Sequence, residues 1–584
     1  MENKVEIDSH SSSAPDLVTQ EIVRGKLLAA VDEMGIVIAR CSMSPVIYEV
    51  LDFACGVCDP RGQLIVQTNG ITLFTGTFAL QVQSIIRRFG NDIKVGDVFM
   101  TNDPFDGGTH TCDIALIKPV FIKKQLEGFA IAVAHWSEVG GAVAGSISPS
   151  ATEIYQEGIR FPGLRVCRND IVQQDIIELI KENTRLPTMC IGDFNAELAA
   201  VRIAETRLNE VFEKYGADVV RDTYSYILDS SEKLARIAIE KLPDGTYYAE
   251  DYVDGDGITS EQIPVCAEVR IFDDEMTFDF TGSSAQRNGP INCSYGALSS
   301  AVKTVFKALV DPQGPSNEGW FRPLKIVCPE GTIFTATKPA PTGWYYEGSA
   351  QASELVWRAL AELAPEKLSA GSYMSLCAAY FFGKDPETKD MFVHIEPAIG
   401  GWGAQTDSDG TGALIATTDG DTYNYSIELF EAKFPLRISE YSLNTKDGVG
   451  AGRWRGGFGV VREFEILLDG GHTYCSFGRN IETPWGLKGG GNGTSNYMEI
   501  IRGKTTERIS RISHRDLESG DVVRIVTGGG GGFGDPYSRP PEEVREDFLD
   551  GYIDAQVAEK KFGVLIDKEG NINSEITATL RLRS

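Results

Sequence analysis

The feature that most constrains the fold is a change in the spacing of apolar residues along the chain. Asp16 opens a segment with helical spacing, and a longer helical stretch follows at about 174–241. Elsewhere, short apolar runs separated by Gly, Asp and Pro are typical of strands and loops. The pattern predicts an α+β class, with a large, mixed, sheet-rich, multi-lobed fold around a central helical scaffold.

Two sets of apolar residues are predicted to form buried helix faces, because they recur at steps of three, four and seven. The face of the first helix is predicted to comprise Leu17, Ile22, Leu27, Leu28, Val31 and Met34. The face of the second is predicted to comprise Phe194, Leu198, Val201, Leu208 and Phe212.

No fixed-period repeat or long linker divides the 584 residues, so soft domain boundaries are expected. The predicted regions are a disordered N-terminus at 1–14, a metal-site region at 15–165, a helical region at 166–244, a sheet-rich glycine-loop region at 245–537 and a helical C-terminal tail at 538–584.

The charge and composition of the chain exclude several classes of partner. A net charge of -28 repels the phosphates of nucleic acids and anionic lipid headgroups. No apolar run approaches 18 residues, and the first fifteen residues lack the apolar core of an export signal. A cytoplasmic protein that binds neither nucleic acid nor membrane is therefore predicted.

Eleven cysteines without framework spacing suit a reducing compartment. Cys55 and Cys58 form a CxxC motif, but no second CxxC completes a zinc site, and the motif lies in an apolar run. Two buried small residues are the favoured interpretation.

A cluster of histidines and carboxylates gives the strongest chemical signal. Apolar runs from Asp113 to Ile122 and from Phe129 to His135 are joined by turn-forming residues at 123–128, which predicts an antiparallel hairpin. Its open end brings together His110, Asp113 and His135. Two imidazoles and a carboxylate suit Zn²⁺, Mn²⁺ or Fe²⁺. The alternative is that these histidines only form hydrogen bonds to neighbouring loops.

Other polar residues near this hairpin have two interpretations each. Glu138 is either a fourth ligand or a carboxylate that orients an imidazole, or it accepts hydrogen bonds from the following Gly-Gly turn, which is favoured. The side chains of one polar loop either line a cavity or form an ordinary amphipathic turn; they are Thr152, Glu153, Gln156 and Glu157.

Several motifs, spread along nearly the whole chain, together resemble the hydantoinase B family. That family includes the B-type subunits of ATP-dependent hydantoinases such as N-methylhydantoinase, the corresponding half of 5-oxoprolinase, a caprolactamase subunit and subunits of acetone and acetophenone carboxylases. The motifs are NDPFDGGTHTCDI (102–114), HWSEVGG (135–141), GSISPSATEIYQEGIRFP (145–162), NGPINCSYG (288–296), GRWRGGFGVVRE (452–463) and GGGGGFGDP (528–536).

The resemblance implies a metal site formed by four residues, Asp52, His110, Asp113 and His135. It also implies that ATP is bound by a larger A-type partner subunit in a hetero-oligomer, and this chain agrees because it lacks a GxxxxGK[ST] loop. The glycines of 527–536 are interpreted as a tight turn or cavity wall rather than a phosphate site. The chain departs from the family pattern at Glu138, where aspartate is usual, and at Cys112.

The function implied by the resemblance is hydrolysis of a cyclic amide, such as a hydantoin, lactam or oxoproline-like substrate, after ATP-dependent phosphorylation of its carbonyl in the partner. A bound metal would activate water, and the backbone N–H groups of Gly140 and Gly141 beside Glu138 are candidate catalytic donors. The alternatives are an acetone- or acetophenone-type carboxylase subunit and a noncatalytic scaffold.

Overall fold

The computed structural model describes residues 15–420, 422–509 and 512–582. Helices and four β-sheets are combined in this part of the chain, which confirms the predicted α+β class. None of the helices in the described ranges is both long and apolar enough to cross a membrane. The N-terminal segment 1–14, predicted to be disordered, lies outside the described residues.

The first half of the chain is built on a seven-stranded antiparallel sheet. Its strands are β1 (Phe53–Cys58), β2 (Leu64–Gln67), β3 (Val98–Thr101), β4 (Asp113–Ile122), β5 (Gln125–His135), β6 (Leu164–Arg168) and β7 (Ile171–Val172). They are ordered β2-β1-β5-β4-β3-β6-β7. The longest pair, β4 and β5, forms the predicted hairpin at the centre of this sheet.

The hairpin turn is shorter than predicted. β5 already begins at Gln125, so residues 125–128 belong to the strand and not to the turn. The two remaining turn residues, Lys123 and Lys124, have φ angles of 48° and 71°. This left-handed backbone at both positions is the geometry of a two-residue hairpin turn, which the lysine-rich sequence does not signal.

Helices cover this sheet. They are α1 (Leu17–Cys41), α2 (Pro45–Tyr48), α3 (Thr72–Thr75), α4 (Phe78–Phe89), α5 (Gln174–Asn183), α6 (Pro187–Tyr215) and α7 (Ala217–Ile239). α1 and α6 pack against each other and against the strands. All five residues of the predicted α6 face are buried, as expected for a helical scaffold.

The buried face of α1 differs from its prediction at two positions. Asp16 caps the helix, accepting a hydrogen bond from the Thr19 N–H at 3.0 Å. However, Leu17 and Ile22 are 65% and 46% exposed. The core-facing stripe instead starts at Val23 and continues through Leu27, and Ile22 is turned about 100° away from it because a helix has 3.6 residues per turn.

The second half contains three smaller sheets. Their strands are β8 (Gly245–Val253), β9 (Ile263–Phe272), β10 (Glu275–Asp279), β11 (Leu324–Val327), β12 (Ala379–Lys384), β13 (Met391–Glu396), β14 (Leu436–Leu443), β15 (Val460–Ile466), β16 (Gly471–Cys475), β17 (Tyr497–Arg502), β18 (Thr505–Ile509), β19 (Ser513–Leu517) and β20 (Val522–Val526). The sheet orders are β11-β10-β9-β8, β13-β12-β16-β19 and β14-β15-β20-β17-β18.

The remaining helices lie between and after these strands. They are α8 (Tyr295–Val310), α9 (Tyr345–Ala361), α10 (Ile427–Lys433), α11 (Pro541–Leu549), α12 (Ala555–Phe562) and α13 (Ser574–Arg581). Short 3₁₀ turns occupy Gly90–Asp92, Pro104–Asp106, Ile154–Glu157, Glu318–Phe321, Thr417–Asp419 and Pro536–Ser538. One large apolar core joins most elements, and a small second cluster forms around Val544 and Phe562 in the last helices.

The glycines of 528–532 form a buried segment that is surrounded by other backbone. Its carbonyl groups accept hydrogen bonds from Gly401, Thr494, Gly450, Ala404 and Leu487 at 2.9–3.1 Å. A Cβ atom on Gly530 would lie 2.0 Å from the Trp402 carbonyl oxygen. The segment is therefore part of the interior, a position that only residues without side chains can occupy.

Candidate metal centre

The hairpin brings the predicted ligands together at its open end. Asp113 begins β4, His135 ends β5, and the two residues are direct partners in the strand register. The Asp113 carboxylate lies 2.8 Å from His110 Nδ1 through Oδ2 and 3.2 Å from His135 Nδ1 through Oδ1. The two imidazole rings are 5.0 Å apart. Three residues predicted to converge therefore do so.

Both histidines are buried, and His135 has a ring nitrogen without a partner among the described residues. His110 is 2% and His135 5% exposed. Among the described residues, His135 Nε2 has no hydrogen-bond partner, whereas His110 Nδ1 is in ion-pair contact with Asp113 Oδ2. A buried polar nitrogen normally has a partner, so His135 Nε2 fits a ligand that the protein itself does not supply.

Asp52 and Asp419 add two more carboxylates to the same cavity. Burial raises the pKa of Asp52 to about 7, although the nearby His135 opposes this shift. Burial likewise raises the pKa of Asp419 to about 6, and the charge of Asp113 contributes. Asp113 differs, because its two histidine neighbours outweigh burial and hold its pKa well below the usual range.

This donor set fits a divalent cation. Imidazole nitrogens and carboxylate oxygens are the usual ligands of Zn²⁺, Mn²⁺ and Fe²⁺. A positive ion would also offset the electrostatic cost of several acidic groups in one buried space. The cavity measures about 40 Å³, which is enough for an ion and a water molecule but not for an organic substrate.

Helix α9 contributes a residue that the sequence analysis missed. The Tyr345 hydroxyl lies 3.1 Å from Asp113 Oδ2, and its ring packs 4.8 Å from the His110 ring. Thr109 also donates a hydrogen bond to Asp113 Oδ2. Tyr345 and Asp419 lie more than 200 residues beyond the hairpin, so spacing alone gives no signal for them.

Glu138 faces away from the metal cavity. Its Oε1 accepts from the Gly140 N–H at 2.9 Å and from Arg185 Nη1 at 2.7 Å, and its Oε2 accepts from the Thr184 hydroxyl at 2.9 Å. The favoured interpretation, in which Glu138 satisfies the Gly-Gly turn, agrees with these hydrogen bonds. Glu138 is not among the residues that line the cavity.

Gly140 and Gly141 form that turn with φ angles of 87° and 93°. Glycine adopts this left-handed backbone without the strain that a Cβ atom would cause. The Gly140 N–H is engaged by Glu138. The donor role expected for the Gly141 N–H stays a prediction.

The polar loop after this turn forms local contacts. Glu153 and Gln156 make a capping box around Ile154–Glu157, and Gln156 also accepts from the Thr152 N–H at 2.6 Å. Glu157 is buried, and its carboxyl group accepts from the N–H groups of Thr342 and Gly343 at 2.9 and 2.8 Å. None of the four predicted loop residues lines the cavity around the histidines.

The cysteines near the site do not form a second centre with CxxC spacing. Cys55 and Cys58 are buried in β1, and burial raises the pKa of both thiols well above the ordinary value. This confirms the interpretation of two buried small residues. Cys112 lies close enough to His110 and His135 to share an ion with them, although burial also raises its thiol pKa.

The chain is similar to known proteins along most of its length. Residues 16–536 match the family model described as hydantoinase B/oxoprolinase. A protein of Pseudomonas sp. (strain NS671), named as the B-type subunit of a putative D-/L-hydantoinase, is 33% identical, and the alignment covers 97% of this chain and 98% of the relative.

Two solved structures share the fold. The crystal structure of the ATP-dependent caprolactamase from Pseudomonas jessenii has a TM-score of 0.90 and 29% identity, with coverage of 98% of this chain and 100% of that chain. A nucleotide-free acetone carboxylase structure also has a TM-score of 0.90, but its identity is 18%, with coverage of 97% and 82%. At that identity, the second likeness establishes the fold alone.

Proposed function

The chain belongs to the hydantoinase B/oxoprolinase family, and we propose that it is the metal-binding, B-type component of a cytoplasmic, ATP-dependent enzyme that hydrolyses a cyclic amide. The substrate class is a hydantoin, lactam or oxoproline-like ring. The observation that carries this proposal is the convergence of His110, Asp113 and His135 in one buried cavity.

His110, Asp113 and His135 would hold the ion, with Asp52 as a fourth ligand. A divalent cation at this position supplies a Lewis acid and lowers the pKa of water, so that hydroxide is available near neutral pH. Asp113 orients both imidazoles through its two oxygens. The Tyr345 hydroxyl and the Thr109 hydroxyl fix the carboxylate in turn.

Asp419 is placed to move the proton of the attacking water. Its carboxyl group lines the cavity, and the Thr418 hydroxyl donates to Oδ2 at 2.7 Å. Burial and the Asp113 charge raise its pKa to about 6, and a carboxylate within reach of water in this cavity can act as a proton acceptor. Asp419 therefore fits a general base better than the strongly acidic Asp113.

The amide carbonyl would be activated in an A-type partner subunit that binds ATP. Unactivated amides resist attack by water, and phosphorylation of the carbonyl oxygen removes this resistance. The sequence has no GxxxxGK[ST] loop for ATP, and the hydantoinase relative is named as a subunit. A reactive phosphorylated intermediate must be shielded from bulk water, which favours a tight hetero-oligomer.

Access to the centre requires a local opening, because the metal cavity is too small for the substrate. The loop that carries His110 also lines an open surface cavity of about 770 Å³ through Phe105 and Gly107. We propose movement of this loop as the route of access to the metal cavity. Contact with the partner subunit is the event we expect to favour the open arrangement.

Carboxylation of a ketone is the second candidate, because the fold is shared with acetone carboxylase. The test is to purify this chain together with its A-type partner and to measure ATP hydrolysis with two substrate sets. We expect stimulation by a lactam or hydantoin and ring-opened product. Stimulation only by acetone or acetophenone with bicarbonate would support the carboxylase, and no metal in the purified chain would contradict the metal role.

A further inference from the structure

Two exposed histidines and an aspartate form a second cluster on the surface, apart from the buried centre. His472 lies on β16, and His514 and Asp516 lie two residues apart on β19, the edge strand of the sheet. His472 is the direct register partner of Asp516. Residues two apart on a strand share a face, so all three side chains meet on one side of the sheet.

The three donor atoms form a small triangle. His472 Nδ1 lies 2.8 Å from Asp516 Oδ1, and His514 Nε2 lies 3.4 Å from both of these atoms. Ligands about 2.0–2.1 Å from a tetrahedral zinc ion are roughly 3.3–3.4 Å apart, by the geometry of the tetrahedron. Two of the three edges therefore match the ligand spacing around one ion. The third is a hydrogen bond between His472 and Asp516, which an ion would replace by separating the two atoms by about 0.5 Å.

Neighbouring aromatic rings hold the two imidazoles in place. The Phe382 ring stacks on His472 at a centroid distance of 5.0 Å, and the Tyr474 ring packs edge-on against His514 at 5.0 Å. Such packing limits ring rotation and reduces the entropy lost when a ligand binds. The cluster is also open to solvent, since side-chain exposure is 37% for His472, 45% for His514 and 77% for Asp516.

We propose that His472, His514 and Asp516 form a second, rapidly exchanging site for a divalent transition metal such as Zn²⁺, Ni²⁺ or Cu²⁺. Two imidazoles and one carboxylate supply three ligands, and the remaining positions face solvent, where water or a group from another molecule can bind. The ion connects the edge strand β19 to β16. This proposal does not depend on the chemistry of the buried centre.

The test uses the full-length chain and zinc alone as the probe. The protein is first treated briefly with a chelator, which removes exposed metal and leaves a buried ion in place, and is then titrated by calorimetry. We expect one zinc ion to bind rapidly to each chain. Replacement of a residue that only orients a metal ligand typically weakens metal binding by roughly 10- to 100-fold. His472→Ala and His514→Ala each remove a ligand, so each should weaken zinc binding by more than this.

Two further variants make the result decisive. Asp516→Asn changes only the charge at the most exposed position and should also weaken binding. Arg515→Ala is the matched control on the same strand, because its side chain points to the other face, and it should bind zinc as the unaltered chain does. The proposal would be overturned if His472→Ala and His514→Ala bound zinc as tightly as the unaltered chain does. It would also be overturned if the unaltered chain showed no rapidly binding zinc ion.

Discussion

At the scale of single residues, Asp113 organises the buried centre. It is contacted by His110 and His135 and accepts hydrogen bonds from Thr109 and Tyr345. The two histidines lower its pKa well below the usual range, against the effect of burial. The lowered pKa favours the anionic form of Asp113, which is the form that a metal ligand requires.

Replacement of the three central residues should remove the metal. We expect His110→Ala, His135→Ala and Asp113→Asn each to lose most of the bound ion while retaining the fold. The two histidine variants remove a donor from a small mixed site, and Asp113→Asn removes the negative charge that offsets the cation. Elemental analysis with circular dichroism measures both properties. Full metal occupancy in a well-folded His110→Ala protein would contradict this assignment.

Asp419→Asn should behave differently from Asp113→Asn. The amide cannot accept the proton of the attacking water, so kcat should fall by about 10²- to 10⁴-fold, while the metal content stays close to that of the unaltered protein. Steady-state kinetics with the partner subunit, together with elemental analysis, separates the two roles. Loss of metal in Asp419→Asn would make Asp419 a ligand instead.

Only part of the metal centre could be predicted from the sequence, because some of its residues are far apart along the chain. Asp113 and His135 belong to one hairpin, whose register follows from local apolar patterns, and His110 lies three residues before its first strand. Tyr345 and Asp419 reach the same cavity from α9 and from the 3₁₀ turn Thr417–Asp419. Their approach depends on packing between separate sheets, which no local spacing encodes.

At the scale of elements, buried polar side chains fix the loops around the hairpin. Glu138 is fully buried and links the turn after β5 to the segment between α5 and α6 through Gly140, Thr184 and Arg185. Each carboxylate oxygen accepts at least two hydrogen bonds. This one residue therefore sets the position of two loops.

Glu138→Gln should destabilise the protein without removing the metal. The amide NH₂ group cannot accept hydrogen bonds, so buried donors lose their partner at a cost of about 1–3 kcal/mol. Thermal unfolding would show a lower Tm, and elemental analysis would show unchanged metal content. Glu178→Gln, on an exposed helix surface, is the control and should leave the Tm unchanged.

Element types were predicted more accurately than their ends. The sequence pattern predicts a helix near 350–363, but α9 begins at Tyr345, five residues earlier, in a segment rich in glycine and aromatic residues. Glu157 explains this start, since its carboxyl group accepts the N–H groups of Thr342 and Gly343 just before the helix. A carboxyl group from a distant loop thus stabilises a helix start that its own sequence does not indicate.

At the scale of the whole molecule, one part of the interior of the second half, around residues 528–532, is packed by backbone instead of side chains. The segment 528–532 is surrounded by backbone from the regions near residues 401–404, 448–451 and 485–494. The space around it excludes even a methyl group. This region was interpreted from sequence as a turn or cavity wall, because a glycine run carries no apolar pattern that would signal burial.

Gly530→Ala should therefore be among the most destabilising substitutions in the chain. The new methyl group would lie 2.0 Å from the Trp402 carbonyl oxygen, so backbone must move. We expect a loss above about 3 kcal/mol or failure to fold. Gly25→Ala, in an open position of α1, is the matched control and should stabilise by about 0.5–1 kcal/mol. A Tm for Gly530→Ala equal to that of the unaltered chain would contradict the close packing.

The stability of the whole chain should fall as the pH rises from about 5 to 8. Burial raises the pKa of Glu157 and of Glu347 to about 8, whereas both have an ordinary value of 4.5. Between those values the folded chain holds protons that the unfolded chain releases, so increasing pH favours unfolding. Scanning calorimetry at about pH 6 and about pH 8.5, on either side of the folded-state values, measures the effect.

The variant that isolates this effect is Glu157→Gln, because the amide does not titrate. Its Tm should change less over this pH interval than that of the unaltered chain, whatever its absolute stability. Glu178→Gln lies on the surface and should keep the full pH dependence. A Tm that rises with pH over this interval would contradict the direction of the two pKa shifts.

The buried glycine segment also determines when the second half can fold during synthesis. The surrounding segments begin near residue 371, but the central one, 528–532, is made last. Contacts between residues so far apart in sequence form slowly, because closing the intervening loop costs conformational entropy. Until residues 528–532 have been synthesised, the backbone carbonyl and amide groups that form hydrogen bonds with this segment are exposed. Chaperone dependence of the newly made chain is therefore expected to concentrate in the last stage of translation.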